Sequence, residues 1–177
     1  MMFIDGENLA IRYAELLTEG KPTQDHVKLE KDVFVWTSYA NVRHHERCEV
    51  VRRHYYTAVQ GDSPRLEEIE DRLKEVGIEA PRVFKKQKGR RSKRVDLSLA
   101  SEMLGHAHRR NYEIAILVGG DDDYVPLVDA VMSEGRRVVL WALPSGLSET
   151  LARRCDHAFD IGTLLFGYAP DIGVRFR

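Results

Sequence analysis

The most constraining feature of the chain is the segment YEIAILVGG, residues 112–120, which is apolar without interruption from Ile114 to Val118. Such a run is too short for a helix buried on all sides, and it shows none of the alternation of a strand with one wet face. It therefore reads as a strand buried on both faces, the pattern of a parallel sheet covered by helices above and below. Neighbouring segments repeat the theme. MMFID precedes a helix with apolar residues at helical spacing (Leu9, Tyr13, Leu16, Leu17), and EVVRRHYYTAV, 49–59, reads as a strand rich in β-branched and aromatic residues. GDSP, 61–64, supplies Asp62 or Ser63 to cap the helix that follows. IEAPRVFKKQ is extended, VDLSLASEMLGHAHRR is a helix ending at Asn111, and DDDYVPLVDAVMSEG is a helix stopped by Gly135. RRVVLWAL is another buried strand, and the short helix LSETLARRC and the segment HAFDIGTLL complete the chain's regular elements. The polar stretch 18–32 is broken by Gly20 and Pro22, and VFVWTSYANV after it fits a helix or a strand equally. Strands alternating with helices predict an α/β fold, a three-layer α/β/α arrangement around a mainly parallel sheet.

At 177 residues, 43% apolar and 31% charged, the chain is expected to form one globular domain over residues 1–177. The only two cysteines, Cys48 and Cys155, have no metal-ligand or disulfide-framework spacing, which fits a reducing compartment. With no apolar run of about 18 residues and no export signal, a cytoplasmic location is expected. The net charge of −1 says nothing about partners, so the distribution of charge must.

Acids collect where strands end. Asp5 closes the first strand, Asp121, Asp122 and Asp123 follow the most buried one, and Asp96 opens a helix. Each has an ordinary explanation as a turn former or helix cap. In an open parallel sheet, however, ligands bind at the carboxyl ends of the strands, so separate acids there are expected to share one rim. Carboxylates converging from several directions suit a hard cation, Mg2+ or Mn2+.

F-I-D-G-E-N-L (3–9), K-R-V-D-L-S-L-A (93–100) and V-G-G-D-D-D-Y-V-P-L-V (118–128) together resemble the NYN domain, a PIN-like nuclease family, and the similarity extends to L-S-E-T-L-A-R-R-C-D-H-A-F (147–159). The resemblance implies a PIN-like, Rossmannoid fold and a metal-dependent ribonuclease. It assigns Asp5, Asp96, Asp121 and Asp123 to the acidic metal site and Asn8 to the first motif, with Asp122 at a variable position. Gly119 stands where the family often has Ser, removing a hydroxyl that would position a metal-bound water or phosphate, and Tyr124 replaces the usual Phe.

KKQKGRRSKR, 85–94, carries Lys85, Lys86, Lys88, Arg90, Arg91, Lys93 and Arg94 with no acid among them, immediately before Asp96. A basic loop beside clustered acids is what guiding an RNA backbone to bound cations requires. The histidines do not form a site: His106 and His108 are roughly 200° apart around a helix, and His44-His45 has no partner motif. DGEN lacks the second Asp of phosphatase DxD motifs and the serines of DxSxS, and no phosphate-binding Gly-rich loop occurs. Three expectations compete: metal-dependent RNA hydrolysis, metal-free cleavage through histidines and the 2′-hydroxyl, and a catalytically silent RNA-binding or protein-interaction domain.

Overall fold

The computed structural model describes residues 1–41, 49–86 and 93–167. Six strands form one parallel sheet: β1 (Met2–Asp5), β4 (Arg53–Val59), β5 (Ala80–Lys85), β6 (Ile114–Val118), β7 (Arg137–Ala142) and β8 (His157–Asp160), in the order β5-β4-β1-β6-β7-β8. The chain runs outward from β1 to β4 and β5, then returns to lay β6 against the other side of β1. Strand order therefore reverses between β1 and β6.

Because crossovers between parallel strands are right-handed, this reversal sends the helices to opposite faces. Helices α1 (Gly6–Thr18) and α2 (Ser63–Glu75) lie on one face, with a core that includes Ile4, Tyr13, Tyr55, Ile69 and Leu73. Helices α3 (Lys93–His108), α4 (Val125–Ser133) and α5 (Glu149–Arg154) lie on the other, with Phe3, Tyr56, Leu99, Met103, Leu117 and Leu140 between them and the sheet. The expected three-layer α/β/α arrangement is observed. A last short helix, α6 (Gly162–Phe166), adds Leu164 and Leu165 to the first core.

The structure differs from expectation in two places. VFVWTSYANV is a strand in its first half, β3 (Phe34–Thr37), followed by a 3₁₀ turn at Ser38–Asn41, and β3 pairs antiparallel with β2 (Val27–Glu30) inside the polar segment. What stabilises this hairpin is distant in sequence: the Tyr55 hydroxyl accepts from Val35 N–H and donates to Val35 C=O, both at 3.1 Å. In addition, the helix expected to start at Asp121 opens as a 3₁₀ turn over Asp122–Tyr124, and α4 begins at Val125. Pro126, in the first turn of α4, sits where a helical N–H has no acceptor to lose. His44, His45, Cys48, Lys88, Arg90 and Arg91 lie outside the described residues.

Candidate functional site

Asp5 is the last residue of β1 and also the N-cap of α1, accepting at Oδ1 from Asn8 N–H at 2.9 Å. Two demands shape this turn. The backbone must pass from strand to helix in one step, and it must do so against the ring of Tyr55, where a Cβ on Gly6 would lie 2.0 Å from Cε1. Only glycine fits. The consequence is that Asp5 is fully buried at the point where strand order reverses.

Its other oxygen is held from the far side of that point. The Tyr124 hydroxyl donates to Asp5 Oδ2 at 2.9 Å and lies 3.2 Å from Oδ1 of Asp96, in the first turn of α3. One phenol thus joins the first, second and third motifs. Tyr124 is 3% exposed, and burial together with the two carboxylates pushes its pKa far above the usual phenol range, so it acts as a hydrogen-bond donor. Asn8 adds a second link, its Oδ1 lying 3.4 Å from Gly120 N–H. Gly119 lies directly against both groups: a Cβ there would stand 3.3 Å from Asp5 Cβ and 3.6 Å from the Tyr124 ring. Gly120 packs on the next loop, with Ser148 N–H donating to Gly120 C=O at 2.9 Å and no room for a Cβ beside the Gly146 carbonyl.

The triple aspartate divides its labour. Asp121, half-buried, caps the 3₁₀ turn by accepting from Asp123 N–H at 3.2 Å. Asp122 is exposed and accepts from the hydroxyl of Ser148, which also caps α5 through Leu151 N–H. Asp123 is exposed. Among the described residues, no three acidic, histidine or cysteine side chains stand grouped so as to hold a metal ion. The donor set fits a hard divalent cation in kind, being carboxylate oxygen throughout. In position, Asp5 and Asp96 converge, while Asp121 and Asp123 follow β6, the strand next to β1.

Of the basic segment, Lys85 ends β5 and is exposed, and Lys93 and Arg94 are exposed at the head of α3, within three residues of Asp96. Lys86 is engaged otherwise: its ammonium pairs with Oε1 of Glu7, a residue 2% exposed. Glu7 and Tyr124 are the participants that sequence reasoning missed. Glu7 reads as an ordinary first-turn acid, and only its proximity to the basic segment in space gives it a partner. Tyr124 reads as a core aromatic, which it is; no local pattern tells where its hydroxyl points.

A family model, the NYN domain, matches residues 1–162. Among solved structures, the crystal structure of a protein of unknown function from Vibrio parahaemolyticus RIMD 2210633 is similar at 24% identity, covering 63% of this chain and 70% of that one, with a TM-score of 0.49. No match is found among curated proteins.

Proposed function

This chain belongs to the NYN domain family, of the PIN-like nuclease superfamily, and from that premise we propose that it is a metal-dependent endoribonuclease working at the end of β1. The observation that carries the reading is the shared hydroxyl of Tyr124, which draws Asp5 and Asp96 from separate elements to one point at the strand-order reversal. Isolated caps have no reason to meet; ligands of one cation do. Asp5, Asp96, Asp121 and Asp123 would hold Mg2+ or Mn2+. When bound, such a cation would supply Lewis-acid polarisation of a scissile phosphate, a water of lowered pKa and stabilisation of the leaving oxygen. The chain's own residues do the rest. Asn8 binds the turn of the first motif to that of the third, Tyr124 holds the acid pair, and Lys85, Lys93 and Arg94, with Lys88, Arg90 and Arg91 of the same segment, offset the repulsion an RNA backbone meets at an acidic rim.

The proposal extends to residues 1–177 acting as a single domain in the cytoplasm. Among the described residues no helix is long and apolar enough to cross a membrane. A second reading, a catalytically silent RNA-binding or protein-interaction domain, draws support from one observation: Asp121 already spends an oxygen on capping Asp123 N–H. Purified protein and single-stranded RNA in saturating Mn2+ separate the two. Internal cleavage leaving 5′-phosphate and 3′-hydroxyl ends, abolished by a chelator, is the expected result. Binding without turnover would establish the silent domain, and cleavage that survives chelation would point to metal-free chemistry at the 2′-hydroxyl.

A further inference from the structure

The Tyr124 hydroxyl has one proton and two carboxylate acceptors, at 2.9 Å on Asp5 and 3.2 Å on Asp96. Two carboxylates within reach of a common oxygen repel each other, and either a donor or a cation placed between them offsets that repulsion. The phenol is not a mobile group that a cation could brush aside. Its ring is buried in the core between the sheet and α3, α4 and α5, its edge runs along Gly119, and its backbone is set by the 3₁₀ turn that Asp121 caps.

We propose that Tyr124 is a positioning residue that keeps Asp5 and Asp96 paired in the cation-free protein, and that its hydroxyl competes with a divalent cation for those carboxylates. This rests on the metal-dependent reading for the identity of the competitor, but the pairing stands apart from it. The hydroxyl proton and the cation address oxygens of the same two groups, so each weakens the hold of the other. A fixed donor between the acids gives the empty site an assembled form, at the cost of looser ion binding. Cation occupancy then tracks the surrounding concentration of free Mn2+ or Mg2+ more closely than at a site that collapses around its ion.

Tyr124→Phe removes the hydroxyl and retains the ring, so the core stays filled. With chelator present, the variant should melt roughly 3 to 10 °C below the parent, the loss expected for a buried hydrogen bond to a charged group in a domain of this size. In an Asp96→Asn background the same substitution should cost clearly less, because the repulsion it opposes is gone. An equal chelator melting point, or an undiminished cost in the Asp96→Asn background, would overturn the proposal by reducing Tyr124 to a core aromatic. Titration with Mn2+, followed by calorimetry, is the second arm. Binding about tenfold tighter in the variant supports the competition, and equal or weaker binding contradicts it. If neither protein binds Mn2+ while the chelator difference persists, the nuclease reading fails and the pairing role is upheld.

Discussion

Helix α3 carries two carboxylates into the same layer of the molecule, and they meet opposite circumstances. Glu102, in its middle, receives three donors: Arg82 Nε at 2.8 Å, the Tyr56 hydroxyl at 2.9 Å and the His54 ring at 3.1 Å. Asp96, in its first turn, meets Asp5 at the Tyr124 hydroxyl, and Asp5 accepts in addition from Asn8 N–H at 2.9 Å. Three donors on one acid make a network whose charge is balanced inside the protein, as a fixed part of the fold requires. Two acids from separate elements converging on one phenol make a place rich in acceptors, which suits a ligand that brings positive charge. Tyr56 is paired in register with Asp5, so the two arrangements are neighbours on adjacent strands, and burial alone does not distinguish them. The convergence of two carboxylates in one and the presence of a single carboxylate in the other do.

The comparison breaks most visibly under substitutions that preserve shape. Asp5→Asn keeps an N-cap, since Asn caps as well as Asp, but removes a ligand charge. RNA cleavage should fall by about 10³-fold or more while the melting temperature stays within a few degrees. Loss of fold with loss of activity would return Asp5 to a structural role. Glu102→Ala should do the reverse, leaving the Arg82 guanidinium, the Tyr56 hydroxyl and the buried His54 ring without their acceptor at a cost of about 3 kcal/mol in denaturant unfolding. A change below about 1 kcal/mol would mean that the network is not what fixes α3 on the sheet.

Smaller effects sharpen the contrast. Replacing Lys85, Lys93 and Arg94 with Ser should make the slope of log affinity for single-stranded RNA against log salt shallower by roughly 2, at about 0.7 per lost phosphate contact. Calcium in place of Mn2+, or the Asp5→Asn protein, keeps the ligand intact during that measurement, and an unchanged slope would leave these cations merely solvated. The last effect is in pH. Burial lowers the His54 pKa to about 4, below the value near 6.5 of the unfolded chain. The unfolded state then takes up the proton first. Stability contributed by neutral His54 is complete above about pH 6.5 and is lost as pH falls toward 4. His54→Gln should flatten the melting temperature between those limits, and an identical acid slope in both proteins would assign the effect to other groups.

The sheet was legible in the sequence because its strands are buried on both faces: Ile114–Val118 and Arg137–Ala142 carry continuous apolar runs, and that pattern has few other uses. The hairpin was not. Val27, Lys28, Leu29 and Glu30 alternate over only four residues inside a polar segment, and the contact that fixes the partner strand comes from Tyr55, some twenty residues on. At the site, residue type and position, at the end of β1 for Asp5 and at the head of α3 for Asp96, were enough to single out these two acids as candidates. They could not show that Asp121 caps its own turn, that Lys86 is held by Glu7, or that a tyrosine hydroxyl stands between the two acids, because each of those facts depends on where a side chain points after the layers have packed.

The claim that the acid pair at the strand-order reversal does the chemistry, and the neighbouring network only the scaffolding, meets its most direct test in one paired measurement. Single-turnover cleavage of a fixed RNA in saturating Mn2+ is compared for Asp96→Asn and Glu102→Gln, two amides placed on the same helix, at a temperature where both proteins are folded. The account predicts a loss of at least about 100-fold for Asp96→Asn and a rate within about 3-fold of the parent for Glu102→Gln. Equal losses, or a larger loss at Glu102, would contradict it.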